Sequence, residues 1–164
     1  MIIGAMAFAI FVLWSVPLGA GWEPTSRKRV RRMLDMSGAG PSDVVYDLGS
    51  GDGRVLVEAA RNYHARAVGV EADPIRVFIS RRAVARHHLE GMVRVVWGNF
   101  FKVDLGEATI VTLFLSQGAN SKLKSKLTSE LRPGTKVVSH EWTFDGWEPV
   151  SRDEDQHLAM YVIR

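Results

Sequence analysis

The sequence has no cysteine, which excludes a disulfide framework, thiolate metal sites and a cysteine nucleophile. It has no internal repeat and no low-complexity tract, which excludes a solenoid or a linker-like chain. Charge is missing altogether from residues 1–22. Elsewhere it is ordinary: 24% of the 164 residues are charged and 46% are hydrophobic. That balance excludes a disordered tail, a collagen-like fibre and a polytopic membrane protein. The length leaves room for one modest domain, of about 140 residues once the uncharged head is set aside. The net charge of +3 is unevenly spread. Arg27, Lys28, Arg29, Arg31 and Arg32 follow closely on the head and form a basic collar.

Residues 1–22, read as one helix at about 1.5 Å per residue, would reach roughly 33 Å. A bilayer's hydrocarbon core is about 30 Å thick. Pro17, Gly19 and Gly21 weaken the second half, so the firm helix runs from Ile2 to Val16. A secretory signal carries its cations before the apolar stretch, whereas here they follow it. Residues 1–22 therefore read as a membrane anchor, with the rest of the chain on the cytoplasmic or equivalent side. Residues 23–40 read as a basic amphipathic approach helix. Thr25 or Ser26 would cap it, and Val30, Met33 and Leu34 would face inward. Its cations would form a solvated face beside anionic headgroups. No aromatics interleave with them, which argues against nucleic acid as a partner.

From residue 41 to 164 the pattern alternates. Short apolar runs at 44–46, 67–70, 93–97, 109–115 and 136–140 read as buried strands. Helical spacing occupies the intervals: 55–63, 74 to about 88, and the stretch carrying Leu123, Leu127 and Leu131. Residues 147–150 and 158–163 read as a closing pair of strands. Alternation of this kind predicts an α/β fold, a doubly wound and mainly parallel seven-stranded sheet.

The segment Asp47-Leu-Gly-Ser-Gly-Asp-Gly-Arg54 lies between the first strand and the first helix of this core. Open α/β sheets bind ligands at the carboxyl ends of their strands, where this loop falls. Glu71 ends the next strand, where a carboxylate can accept from both hydroxyls of a ribose. A dinucleotide loop would carry glycine in the sixth place, which Arg54 holds here. Asp47 would repel a pyrophosphate but pair with the ammonium of an amino acid. A nucleoside joined to an amino acid is S-adenosylmethionine.

These residues resemble the first motif of class I S-adenosylmethionine-dependent methyltransferases. Further segments resemble the small archaeal-type protein-lysine methyltransferases and their membrane-anchored mitochondrial relatives. They are Pro24-Thr25 before Arg31-Arg-Met-Leu34, Ala67-Val-Gly-Val-Glu71, Gly98-Asn-Phe-Phe101, Val111-Thr-Leu-Phe-Leu115, and Leu131 to Glu141 followed by Gly146-Trp147. The resemblance implies a Rossmann-like sheet with S-adenosylmethionine as cofactor. It implies that Asp47, Gly49, Ser50 and Gly51 meet the methionine portion. Glu71 would hold the ribose, Ala72 would lie against the adenine, and Asn99 with the Phe100 backbone would reach the adenine edge. Thr112, Leu113 and Phe114 would face the transferring methyl. Pro24 and Thr25, in the approach segment, would contact the cofactor. That segment has Trp22 where the family usually has tyrosine.

For a lysine acceptor, Phe114, His140 and Glu141 are the candidate catalytic residues. Phe114 could wall the ammonium, and the other two could orient the amine or pass on its proton. His87-His88 reads as mid-helix surface, with no metal implied. An Asn/Asp-Pro-Pro-aromatic motif, which resembles the signature for amide and base nitrogens, is missing after the fourth strand. Leu115-Ser116-Gln117 stands there instead. The expected function is thus a membrane-tethered methyltransferase acting on protein lysines. A small-molecule or lipid-amine methyltransferase and a non-catalytic cofactor-binding protein are the alternatives.

Overall fold

The structure is a computed structural model and describes residues 25–164. The anchor expected over residues 1–22, together with Pro24, lies outside the described residues. Among the described residues, no helix is long and apolar enough to cross a membrane.

The approach helix is α1, Arg27–Ser37. Ser26 caps it, its hydroxyl accepting from the Arg29 amide at 3.3 Å. Gly38 ends it in the left-handed conformation, where a side chain would be strained. Val30, Met33 and Leu34 are buried, as their spacing requires. The cations are less free than the sequence suggested. Arg31 pairs with Glu58 at 2.7 Å and Arg32 with Asp153 at 2.5 Å.

The core follows as β1 (Val44–Leu48), α2 (Arg54–Asn62), β2 (Arg66–Glu71), α3 (Pro74–Arg86), β3 (Val93–Trp97) and β4 (Ile110–Leu113). Then come α4 (Gln117–Glu130), β5 (Lys136–His140), β6 (Ser151–Asp153) and β7 (Leu158–Val162). The seven strands form one sheet in the order β3-β2-β1-β4-β5-β7-β6. The first five strands pair in parallel, and β7 runs antiparallel between β5 and β6. All five residues of β1 are buried, as befits a parallel strand covered on both faces.

Side chains alternate between two cores. Tyr46, Leu48, Val111 and Leu113 pack with Leu123 and Leu127 of α4 on one face. Val45, Ala67 and Ile110 pack with Leu34, Leu56 and Val77 of α1, α2 and α3 on the other. Gly69 lets the second face close, because a Cβ there would collide with Leu56 and Ser50.

Three expectations need correction. Residues 147–150 are not a strand. Trp147 instead turns inward against Phe144 and Tyr161, with ring centroids 4.8 and 5.8 Å away. Pro149 has no amide to give a ladder; the first bond to β7 comes from the Val150 amide, which donates to the Met160 carbonyl at 2.8 Å, and the strand itself is Ser151–Asp153. His87-His88 is not mid-helix: His87 caps α3, and His88 has a left-handed φ of 54°. Finally, the fourth strand is shorter than expected, spanning Ile110–Leu113.

Candidate active site

The parallel sheet brings the carboxyl ends of β1 to β5 to one edge. Period-two alternation then selects the face. Asp47, Glu71, Thr112 and His140 lie on the side of the sheet covered by α1, α2 and α3, opposite the α4 side. Asp47 and Thr112 are register partners on β1 and β4, and the Thr112 hydroxyl donates to Asp47 Oδ1 at 2.8 Å. Asp47 is 7% exposed. Burial pushes its carboxyl up to about 7, against the Thr112 hydrogen bond, and the charges of Glu71 and Asp52 add to the rise. A cation at this carboxylate would relieve that cost.

Glu71 is held open as an acceptor. Its Oε1 accepts from the Ala72 and Asp73 amides at 2.9 and 3.0 Å, and its Oε2 from the Gly51 amide at 2.8 Å. The carboxylate is thereby aimed, with lone pairs left over for hydroxyl donors. The glycine loop hangs from β2: the Gly49 and Ser50 amides both donate to the Val70 carbonyl. Gly53 has φ 81°, and a Cβ there would collide with Ser80 of α3. Ser50 does not present its hydroxyl outward. It is buried over Gly69, so only its backbone can serve a ligand.

Ala72 is half-buried, and its carbonyl accepts from the Trp97 indole at 3.0 Å. Asn99 is folded onto its own loop, with Oδ1 accepting from the Phe101 amide at 2.9 Å. The Phe100 ring belongs to the core, as does the fully buried Leu113 side chain, so these two residues offer the site backbone only. Thr25 is tied to the loop: Arg54 donates to its carbonyl at 2.6 Å while also pairing with Asp52 at 2.5 Å. Arg54 thus fastens the approach segment across the glycine loop.

At the other end of the edge, the Phe114 and His140 rings lie 4.0 Å apart at 44°. His140 is 3% exposed. Burial pushes its imidazole down to about 4, helped by the charges of Arg29 and His157. It is therefore uncharged at neutral pH, and its 3.9 Å approach to Glu141 is no ion pair. Glu141 has φ 67°, a left-handed conformation uncommon for a residue with a Cβ. Its amide donates to His157 and that of Trp142 to His140, both at 2.8 Å. Asn120 of α4 pins the turn by donating to Trp142 O at 3.0 Å and Ser139 Oγ at 3.1 Å. The result is a half-exposed carboxylate beside a neutral imidazole and an aromatic face.

Sequence reasoning missed Arg54, Asn120, Trp97 and Arg29 as parts of this edge. Only Arg54 left a signal, standing where a dinucleotide loop has glycine. The other three are joined to the site by tertiary contact. Among the described residues, no group of three or more His, Asp or Glu side chains could hold a metal ion.

The cofactor side fits S-adenosylmethionine. A buried carboxylate with one hydroxyl donor suits an ammonium, and a carboxylate aimed by three amides suits a diol. Residues 47–151 match the ANTKMT methyltransferase domain. The chain belongs to that family. It is a class I methyltransferase, and its cofactor is S-adenosylmethionine.

Among its relatives is the protein-lysine N-methyltransferase of Saccharolobus islandicus. The two are 46% identical over 85% of this chain and 91% of that one. The adenine nucleotide translocase lysine N-methyltransferase of Mus musculus is 29% identical, over 87% of this chain and 67% of its own. The crystal structure of an RNA methyltransferase from Salinibacter ruber with S-adenosyl-L-homocysteine superposes with a TM-score of 0.83 at 39% identity. It covers 86% of this ANTKMT-family chain and 94% of its own.

Proposed function

We propose that this methyltransferase acts on the side-chain amine of lysine residues in a protein, working from a membrane surface. The observation that carries the acceptor is the 46% identity to the Saccharolobus islandicus protein-lysine N-methyltransferase, over nearly that protein's full length. The grouping of Phe114, His140 and Glu141 at the far end of the edge supports it. We read residues 1–22 as the anchor, 23–40 as the approach segment and 41–164 as the catalytic core. The core then lies on the cytoplasmic or equivalent side.

The cofactor residues divide the ligand between them. Asp47 takes the ammonium, Glu71 the ribose, and the backbone of Gly49, Ser50 and Gly51 the rest of the methionine portion. Ala72, Asn99 and the Phe100 backbone line the adenine. Thr112 and the Leu113 backbone flank the reacting end, and we assign Pro24 and Thr25 to the cofactor side as well. Bound S-adenosylmethionine supplies an electrophilic methyl group on a sulfonium. A free lysine titrates near 10.4, so it must shed a proton before its lone pair is available. Phe114 offers a π face to the arriving ammonium. Neutral His140 offers a ring lone pair that orients the amine. An imidazole pushed this far down does not keep the proton at neutral pH. Glu141, half-exposed, accepts the proton at Oε2 and hands it to solvent.

The likeness to the Salinibacter ruber RNA methyltransferase supports a second reading, with RNA as acceptor. Incubating the full chain with methyl-labelled S-adenosylmethionine, host membranes and total RNA separates the readings. Label recovered as methyl-lysine after acid hydrolysis is the expected result. Label in RNA selects the second reading, and label in lipid a lipid-amine acceptor. Cofactor binding without transfer to any of these selects a non-catalytic protein.

A further inference from the structure

Helix α3 is apolar on two sides. Val77 and Val84 are buried, as is Ser80 between them. Ile75, Phe78 and Ile79 face away from that core and are 55, 63 and 46% exposed. They fall at i, i+3 and i+4, so they form one continuous stripe. Exposed Arg82 and Arg86 extend that stripe at i+7 and i+11. Trp97 is 65% exposed, and its indole is bonded to Ala72, three residues before Ile75. Scattered exposed apolar residues need no explanation, but bulky ones aligned on one face mark an interaction surface.

Charge narrows the partner. The α3 sequence, PIRVFISRRAVAR, contains Arg76, Arg81, Arg82 and Arg86 and no acidic residue. Bulky hydrocarbon followed by cations on one stripe suits a helix lying in the headgroup layer of an anionic bilayer. Position narrows it again. The Thr25 carbonyl is held by Arg54, which follows Gly53, and Gly53 abuts Ser80 in the middle of α3. Thr25, the first of the described residues, is thus tied to the loop that packs on α3.

We propose that the exposed stripe of α3, with Trp97, docks on the surface of an anionic phospholipid bilayer. The proposal rests on the membrane-tethered reading above and adds a second contact, which fixes how the domain stands. Because α3 begins directly after Glu71, Ala72 and Asp73, the cofactor end of the site is held at the headgroups. Acceptor lysines close to the membrane surface are then favoured over those further away.

The cysteine-free chain makes the test direct. Phe78→Cys and, in a separate chain, Lys122→Cys on the opposite layer each carry a nitroxide in the full-length protein. Collisions with oxygen and with a water-soluble nickel complex are measured by electron paramagnetic resonance. The vesicles are phosphatidylcholine, with or without phosphatidylglycerol. With anionic vesicles, the label at 78 is expected to lose nickel collisions several-fold and gain oxygen collisions, while the label at 122 stays aqueous. Adding Arg82→Glu and Arg86→Glu should return the label at 78 to water. Unchanged nickel access at 78 in protein that floats with vesicles overturns the α3 contact and leaves the tether standing. Protein that does not float removes both. Protection at 78 already present without lipid means that protein covers the stripe, which also overturns the proposal.

Discussion

Asp47→Asn should stabilise the ligand-free protein while weakening cofactor binding. The carboxyl is buried against its neighbours and lifted from 3.8 to about 7. A carboxyl whose folded value is raised binds more protons folded than unfolded, so stability falls as pH rises from about 4 to 7. Each tenfold change in proton affinity is worth about 1.4 kcal/mol, so the whole rise amounts to about 4 kcal/mol. Asparagine keeps the shape, accepts from Thr112 and never ionises. Its buried amide lacks an assured acceptor, which costs about 1–3 kcal/mol. The net gain above pH 7 is then about 1–3 kcal/mol.

The firmer quantity is how the variant-minus-wild-type difference changes with pH, because the amide penalty cancels there. Between pH 5 and 8 it should grow by about 3 kcal/mol. At about 2–4 °C per kcal/mol for a chain of this size, the gap in melting temperature widens by roughly 5–10 °C. Differential scanning fluorimetry across that range measures it. Saturating S-adenosylmethionine should flatten the pH dependence in the wild type, because its ammonium supplies the missing counter-charge. A gap that stays constant with pH would refute the assignment of Asp47 as a buried, unpaired carboxyl.

Three further outcomes are expected. The His140 imidazole should titrate near 4 by nuclear magnetic resonance, so the protein loses up to about 3 kcal/mol from this group as pH falls from 6.5 towards 4; titration near 6.5 would contradict its burial. Glu71→Ala should weaken cofactor binding by on the order of 1.5–3 kcal/mol in calorimetric titration, and unchanged affinity would remove it from the site. Arg54→Ala should release the approach segment from the glycine loop, raising cleavage by trypsin among residues 27–32 several-fold; wild-type cleavage kinetics would mean that the Thr25 contact does not hold that segment.

Much of the fold was legible because buried parallel strands and amphipathic helices carry strong local periodicities. Strands 93–97 and 136–140 coincide with their apolar runs. The glycine loop could be read from its spacing, since the turn, the carboxylate before it and Glu71 after it all follow from residue type and strand ends. The tail misled because Trp147-Glu148-Pro149-Val150 has the composition of a strand. Its aromatic was taken by the core, and its proline refused the ladder.

The sequence by itself determined the layer architecture, the glycine loop and the carboxylates that bracket it, because these depend on short-range pattern. Contacts between distant segments were decided by the tertiary structure alone. Register put Thr112 beside Asp47, and the close approach of α1 set Arg29 where its charge lowers the His140 pKa. Burial then gave those two side chains protonation behaviour that no residue type carries on its own. Packing also decided that Ile75, Phe78 and Ile79 would be left outside the core while Val77 and Val84 went in. Both sets are equally apolar, and only the helix's rotation against the sheet distinguishes them.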